Sequence, residues 1–402
     1  MSIKAIDLFS GCGGVSCGLT RAGFSVEAAV EIDKDAVSTY LSYPPLSKVH
    51  VILGDICKIK GTEILQAGQI SSNELYLLAG CPPCQNFSVQ NPNNKHKPET
   101  DRKRLLFEFL RIIKEIYPPF ILMENVPGIK AEYNSKILKE FLSELTNEDG
   151  SDSKKYIFEY QIINAADYGV PQNRKRFVLH AVRKDVYSEM RSCSLDFSFP
   201  PPTHSIDGNN GLRHWVTVRD AIGDLPEITA GEEYIGSPLI HNHKCANLSE
   251  TNLEKIRYIR SHGGSRDCLP DEMVLDCHKR LEAEGGKSIG HKDVYGIMDP
   301  EKPAPTMTGG CLFYTKGRYG HFSQDRAISI REAARIQTFP DDFIFSNNLQ
   351  KAALQIGNAV PVKLVEASAT ELLRIINLLL LHRQKRVMTC TPFTVRNQRQ
   401  DK

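Results

Sequence analysis

The chain has 402 residues, 41% hydrophobic and 24% charged, with a formal net charge of +2 at pH 7. That length buries a full core and points to two domains, or one large and one small, while the near-neutral balance confines any nucleic-acid surface to a local patch. The best apolar stretch, 372–381, is broken by Arg374 and Asn377 and falls short of the ~18 residues of a membrane span; the cysteines, behind a start that runs straight into a strand, predict reduced thiols in a cytosol-like compartment.

Residues 5–9 read as a short apolar strand, 10–14 as a glycine turn and 15–22 as a helix, the opening of a nucleotide-type fold. A dinucleotide fingerprint wants a third glycine where Ser16 stands, and the turn has no lysine for a phosphate, so pyrophosphate is disfavoured. Residues 26–30 make a second strand ending in Glu31, Ile32 and Asp33, and 49–53 a third ending in Gly54, Asp55 and Ile56. An acid at the second tip suits ribose hydroxyls, and Asp55 suits an adenine amino group. Either acid could equally be an exposed loop residue.

The chain is organised around Leu77-Leu78-Ala79-Gly80, an apolar run that gives way to Cys81-Pro82-Pro83-Cys84-Gln85. A thiol at a strand's carboxyl edge stands where open α/β sheets place their ligands. The two prolines fix two φ angles and so set the direction of Cys84, leaving Cys81 nearer the strand end and packed. C-x-x-C spacing also belongs to redox pairs and zinc sites, but the chain has no second such pair, and no metal is assigned. Residues 90–104 are polar and basic and read as a long loop, either a lid over substrate or a solvated surface. Residues 105–117 are helical, and 120–123 form a strand that ends in Glu124-Asn125, beside the thiol strand if the sheet is parallel. Strand-like 156–163 and 176–182 flank Gln172-Asn173-Arg174-Lys175-Arg176, a surface charge run or a grip on phosphate and base oxygen.

Beyond Pro200-Pro201-Pro202 periodicity fades until about residue 321. Residues 330–340 read as a short amphipathic helix closed by Pro340, and 355–361 lead into a helix from 362 to about 381 whose broad apolar face needs the first domain's sheet. The expected division is a discontinuous large domain, 1–200 with 355–382, a smaller one over 201–354, and a basic frayed tail over 383–402. His241, His243, Cys245, Cys268, Cys277 and His278 have spacings that fit no standard zinc site and read as loop residues.

Taken jointly and in order, Phe-x-Gly-x-Gly from Phe9 to Gly13, Pro83-Cys84-Gln85, Glu124-Asn125-Val126, Gln-x-Arg-x-Arg from Gln172 to Arg176, and Gly357-Asn358 resemble the C5-cytosine DNA methyltransferase family. The likeness spans nearly the whole chain apart from 205–325 and the tail. It implies a Rossmann-like, S-adenosylmethionine-dependent α/β fold, a mostly parallel doubly wound sheet with a smaller target-recognition domain. It further implies a cytosine flipped out of double-stranded DNA and a cytoplasmic monomer, nucleoid-associated in a prokaryote. Such an enzyme works with a cognate restriction endonuclease or as a solitary methylase.

The residues carried over from that resemblance have chemical reasons. Cytosine C5 is a poor nucleophile toward a methyl sulfonium, so a soft nucleophile must first add at C6; Cys84 matches it. Charge that develops toward N3 and O2 calls for an acid and a cation, which Glu124 and Arg176 match, with Arg174 as neighbouring support. The likeness lays Phe9 against adenine, Gly11 and Gly13 by the methionine part, Glu31 on the ribose, Asp55 on the adenine amine, and Asn358 with Ala359 near the methionine end. Gly14, Ile32, Ile56 and Pro83 complete the cofactor set. Gln85, Ser88, Gln90, Arg102 and Asn125 are expected to meet DNA, with Lys95, Lys97, Lys103 and Arg104 on phosphates. Methylation of tRNA and a binding-only relative are the alternatives. The long recognition segment speaks against the first, and the presence of both thiol and acid against the second.

Overall fold

The computed structural model describes residues 2–71, 73–83, 99–146, 155–275, 279 and 293–389, and the side chains of all of these except 99–102 and 386–389. The apolar runs become β1 Ile3–Leu8, β2 Phe24–Glu31, β3 His50–Leu53, β4 Leu75–Gly80, β5 Phe120–Asn125, β6 Tyr156–Asn164 and β7 Lys175–Arg183. Among the described residues these form one seven-stranded sheet in the order β3-β2-β1-β4-β5-β7-β6. Pairing is parallel from β3 through β5, and β7 runs antiparallel to both its neighbours. This is the mostly parallel α/β class expected from the sequence. Succession leaves β1 toward β2 and β3 on one side and resumes at β4 on the other, so a topological switch point opens at the carboxyl ends of β1 and β4, where such sheets bind ligands.

Side chains alternate across the sheet and build two cores. Ile6 and Leu8 join Leu78, Ile121 and the helices Gly61–Ala67, Glu99–Ile116 and Ser135–Thr146. Ile3 and Ala5 face the other way, toward helix Gly14–Ala22 and the long helix Val362–Thr389, whose apolar face is covered as its pattern requires. Each large aliphatic or aromatic side chain buried in this way contributes about 1.5–3 kcal/mol.

Four local features differ from the sequence-based expectation. Helix Glu99–Ile116 starts inside the stretch read as a loop to 104; Glu99 and Asp101 in its first turn complement the positive helix end. Helix Leu349–Asn358 replaces a connector, capped by the Asn348 side chain, which accepts from the backbone N–H groups of Gln350 and Lys351. Helix Glu250–Ser261, capped by Ser249, stands in the aperiodic region and packs Ile256 and Ile259 with Tyr314 and Ala327 in a small core of their own. Finally, helix Ile330–Ile336 buries its polar side as well as its apolar one, Arg331 and Glu332 included. A buried charge must be paired: burial pushes the Glu332 carboxyl up, but the bidentate Arg326 guanidinium outweighs it and holds the group at about 2.

Candidate active site

The tips of β1 to β5 open on one cavity of about 380 Å³. Phe9, Gly11, Gly14, Glu31, Ile32, Asp55, Ile56, Pro83, Glu124, Asn358 and Ala359 all lie on its wall. Gly13, placed with them by the sequence, lies off that wall: a Cβ there would meet Tyr40 Cδ2 at 2.9 Å and Leu46 Cδ1 at 3.0 Å. Its φ of 101° is left-handed, so glycine lets the turn close over the core.

The cofactor half of the cavity is built by hydrogen bonds within the strand tips. Glu31 Oε2 accepts from the Gly11 N–H, and its Oε1 from the N–H groups of Ile32 and Asp33, each at 2.8 Å. A carboxylate has roughly four acceptor sites, which leaves room for a hydroxyl donor. Asp55 Oδ1 accepts from the Cys57 N–H at 3.1 Å, and that bond, with the Arg104 and Lys58 charges beyond it, holds the exposed carboxyl below its ordinary range. Gly11, at φ 55°, would set a Cβ in open space with nothing within 4 Å. Apolar Phe9, Ile32 and Ile56, carboxylates at two tips and a bare glycine backbone fit a nucleoside joined to a cationic amino-acid tail, as S-adenosylmethionine is.

The other half converges on Glu124. Arg176 Nε stands 2.7 Å from Glu124 Oε1 across the β5–β7 pairing. Gly80 ends β4 beneath the Phe109 ring, which would lie 2.5 Å from any Cβ. Cys81 then donates its N–H to the Leu8 carbonyl and packs partly buried against the core. The turn continues through Pro82 and Pro83 toward Cys84; Cys84, Gln85, Ser88, Gln90, Lys95 and Lys97 lie outside the described residues, and Arg102 is placed only as part of helix Glu99–Ile116.

Three expectations require correction. Asn125 does not face DNA: it is buried, donates to the Pro82 carbonyl at 3.1 Å, and accepts from the Val126 N–H. It therefore braces the turn that leads to Cys84. Arg174 does not flank Arg176: it is buried and donates to the carbonyls of Met307, Gly357 and Ala359, a set that suits the five donors of a guanidinium and fixes the backbone on both sides of Asn358. Lys103 pairs with Glu140 at 2.8 Å and covers the Phe107 ring, engaged within its own helix layer.

Sequence reasoning missed several wall residues. Lys351, Leu354, Gln355 and Asn358 reach the cavity from one face of helix Leu349–Asn358; their spacing of three, four and seven residues is the periodicity that could have revealed them. Arg104 and Leu105 close the cavity from helix Glu99–Ile116. The buried Gln337, which donates to the Ile356 and Ala359 carbonyls, left no local signal.

A parallel sheet with a nucleoside-shaped cavity at its switch point, and a carboxylate–arginine pair at the end opposite the acid-bearing tips, defines a Rossmann-like methyltransferase. A family model of C-5 cytosine-specific DNA methylases matches residues 3–374. The Type II methylase M.HgiDII of Herpetosiphon aurantiacus is 36% identical over 387 residues, covering 95% of this chain and 98% of the relative. The Type II methyltransferase M1.HphI of Haemophilus parahaemolyticus is 32% identical over 93% of this chain and 87% of its own length. Among solved structures, a prophage-encoded E. coli protein described as a DNA modification methyltransferase superposes with a TM-score of 0.63 at 26% identity, over 94% of this chain and 100% of that one. The S. pombe Dnmt2 methyltransferase, at 16% identity and a TM-score of 0.57, shares the fold. The chain belongs to the C-5 cytosine-specific DNA methylase family.

Proposed function

We propose that the protein transfers a methyl group from S-adenosylmethionine to C5 of a cytosine swung out of a short, specific duplex DNA sequence, as the modification enzyme of a restriction-modification pair. The observation that carries this reading is the shared cavity: the Glu124–Arg176 pair and the turn leading to Cys84 stand on the same wall as Phe9, Glu31 and Asp55. The Type II methylase names of the relatives support DNA over tRNA.

When bound, the cofactor supplies an electrophilic methyl group; Glu31 and Asp55 would hold its nucleoside, with Asn358 and Ala359 at the far end. Cys84 as thiolate adds to C6 and breaks the C5=C6 double bond, placing an electron pair on C5. Glu124 hydrogen-bonds N3 as negative charge gathers there, and Arg176, already oriented by Glu124, meets O2. Once C5 is methylated, its proton leaves to water, the C5=C6 bond reforms and the thiolate departs. Asn125 keeps the turn rigid by holding Pro82.

Residues 1–200 with 355–382 would carry the chemistry, and 201–354 the target reading, with Gln85, Ser88, Gln90 and Arg102 near the DNA. Among the described residues no helix is long and apolar enough to cross a membrane. Methyl-labelled S-adenosylmethionine offered with duplex DNA and tRNA side by side tests the reading. Label in DNA, and an adduct on Cys84 with a 5-fluorocytosine oligonucleotide, are expected; label in tRNA alone, or an adduct elsewhere, would overturn it.

A further inference from the structure

We propose that Arg104 recognises the cofactor rather than DNA, its guanidinium closing the nucleobase end of the cavity and stacking on the adenine ring. The inference rests on the cofactor reading above and adds a residue to it.

Arg104 and Lys103 are consecutive on helix Glu99–Ile116 yet diverge. Lys103 turns to Glu140 and helix Ser135–Thr146. Arg104 lies on the cavity wall, with Nη1 3.6 Å from Cys57 Sγ, which sets the guanidinium beside the turn that carries Asp55. Its charge contributes to holding the Asp55 carboxyl low, after the Cys57 bonds. Among the described residues Arg104 has no ion-pair partner, whereas Lys351, the other cation on the wall, is paired with Asp35 at 2.8 Å.

The remaining charged groups of the wall, Glu31, Asp33, Asp35, Asp55 and Glu124, are all carboxylates. A phosphate entering there would be repelled by them. A neutral aromatic ring would not, and a guanidinium is planar, weakly hydrated and suited to stacking on one. Leu105 and Ile56 beside it add apolar surface for the same flat partner. The requirement that emerges is for a neutral purine under the guanidinium, with its amino group toward Asp55.

Titration calorimetry on the full chain, without DNA, tests this with S-adenosylhomocysteine and with adenosine alone. Arg104→Ala is expected to weaken both about three- to thirty-fold, and Arg104→Lys, which keeps charge but loses planarity, to recover only part. DNA affinity with saturating S-adenosylhomocysteine, and its salt dependence, should not change. Arg104 is exposed, and an unchanged melting curve will show that the variants fold. Unaltered ligand affinity in Arg104→Ala overturns the proposal, and a salt slope for DNA reduced by about one would assign the residue to a phosphate instead. A wild-type chain that binds no S-adenosylhomocysteine would overturn the cofactor reading itself, a result distinct from a binding wild type with an indifferent variant.

Discussion

Gln172 Nε2 donates to Gln337 Oε1 at 2.9 Å, joining residues 165 positions apart. Gln337 passes the connection on to the Ile356 and Ala359 carbonyls, at 2.6 and 3.1 Å, and Gln172 Oε1 accepts from the Met307 N–H at 2.8 Å. With Arg174 on Gly357 and Ala359, three buried side chains hold the carbonyls around Asn358. The entrance to β7 thereby sets Arg176 toward Glu124 and, two residues earlier, fixes the backbone of the cofactor wall.

Replacing Gln337 with leucine should show this. It strips donors from two buried carbonyls and a partner from Gln172, and each buried group left unsatisfied costs about 1–3 kcal/mol. Urea unfolding is expected to report a loss on the order of 3 kcal/mol. At a temperature where the variant is folded, affinity for S-adenosylmethionine should fall more than affinity for DNA. Equal losses in both would mean that the contact is only structural.

Asn125→Ala separates a brace from a DNA contact. Without the bond to Pro82, the turn leading to Cys84 loses its anchor, so kcat should fall while KM for DNA stays near wild type. A rise in KM with kcat preserved would restore Asn125 to the DNA-facing set. Steady-state kinetics on a duplex containing the target sequence distinguishes the two.

Glu124→Gln keeps size and shape but removes the acid and the ion contact with Arg176. Loss of a positioned general acid typically costs 10²–10⁴-fold, and a fall in kcat of about that size is expected. S-adenosylhomocysteine affinity, measured without DNA, should be unaffected, because the cofactor contacts lie at the other strand tips. A variant with full kcat would remove Glu124 from the chemistry.

The legible parts of this molecule are those where local pattern and tertiary demand coincide. Apolar runs capped by Glu31, Asp55 and Glu124 announced strands with acids at their tips, and the parallel β4–β5 pairing put the third acid beside the cysteine turn. The β7 entrance was legible only as a cluster of cations. Arg174 and Arg176 are the same residue type two positions apart, and their separation into scaffold and site depends on carbonyls at 307, 357 and 359 that no local spacing encodes. Asn125 reads as a polar loop residue until the Pro82 carbonyl beside it is seen. The Gln172–Gln337 bond belongs to the same class: a contact across 165 residues leaves no periodicity behind.

Asp7 should make stability depend on pH near neutrality. It is fully buried; Ser16 donates to its Oδ2 at 2.6 Å, Tyr40 donates in turn to Ser16, and its Oδ1 has no partner among the described residues. Burial raises the carboxyl to about 7, against the Ser16 hydrogen bonds, with the Glu31 charge adding to the rise. The folded state thus holds a proton that the unfolded chain, near 3.8, has already released, and stability is lost as pH rises through 7. From pH 6 to pH 8 the loss from this group is about 1.4 kcal/mol. Asp7→Asn keeps an acceptor for Ser16 and should remove that decline in urea unfolding measured at the two pH values; the same decline in the variant would refute the assignment.

His180 acts in the acid range with the opposite slope. It lies fully buried on β7, stacked on Phe199 with ring centroids 4.3 Å apart, and neither ring nitrogen has a hydrogen-bond partner among the described residues. Burial pushes its pKa down from 6.5 to about 3. The unfolded chain therefore binds a proton that the folded one refuses, and stability is lost as pH falls below 6.5 until the folded group itself titrates near 3. Between pH 7 and pH 5 this amounts to about 2 kcal/mol. His180→Phe preserves the stack and removes the titration, so urea unfolding should lose about that much less stability on acidification than wild type does. Parallel pH profiles for the two proteins would show that the imidazole finds a partner, or water, that protects its charge.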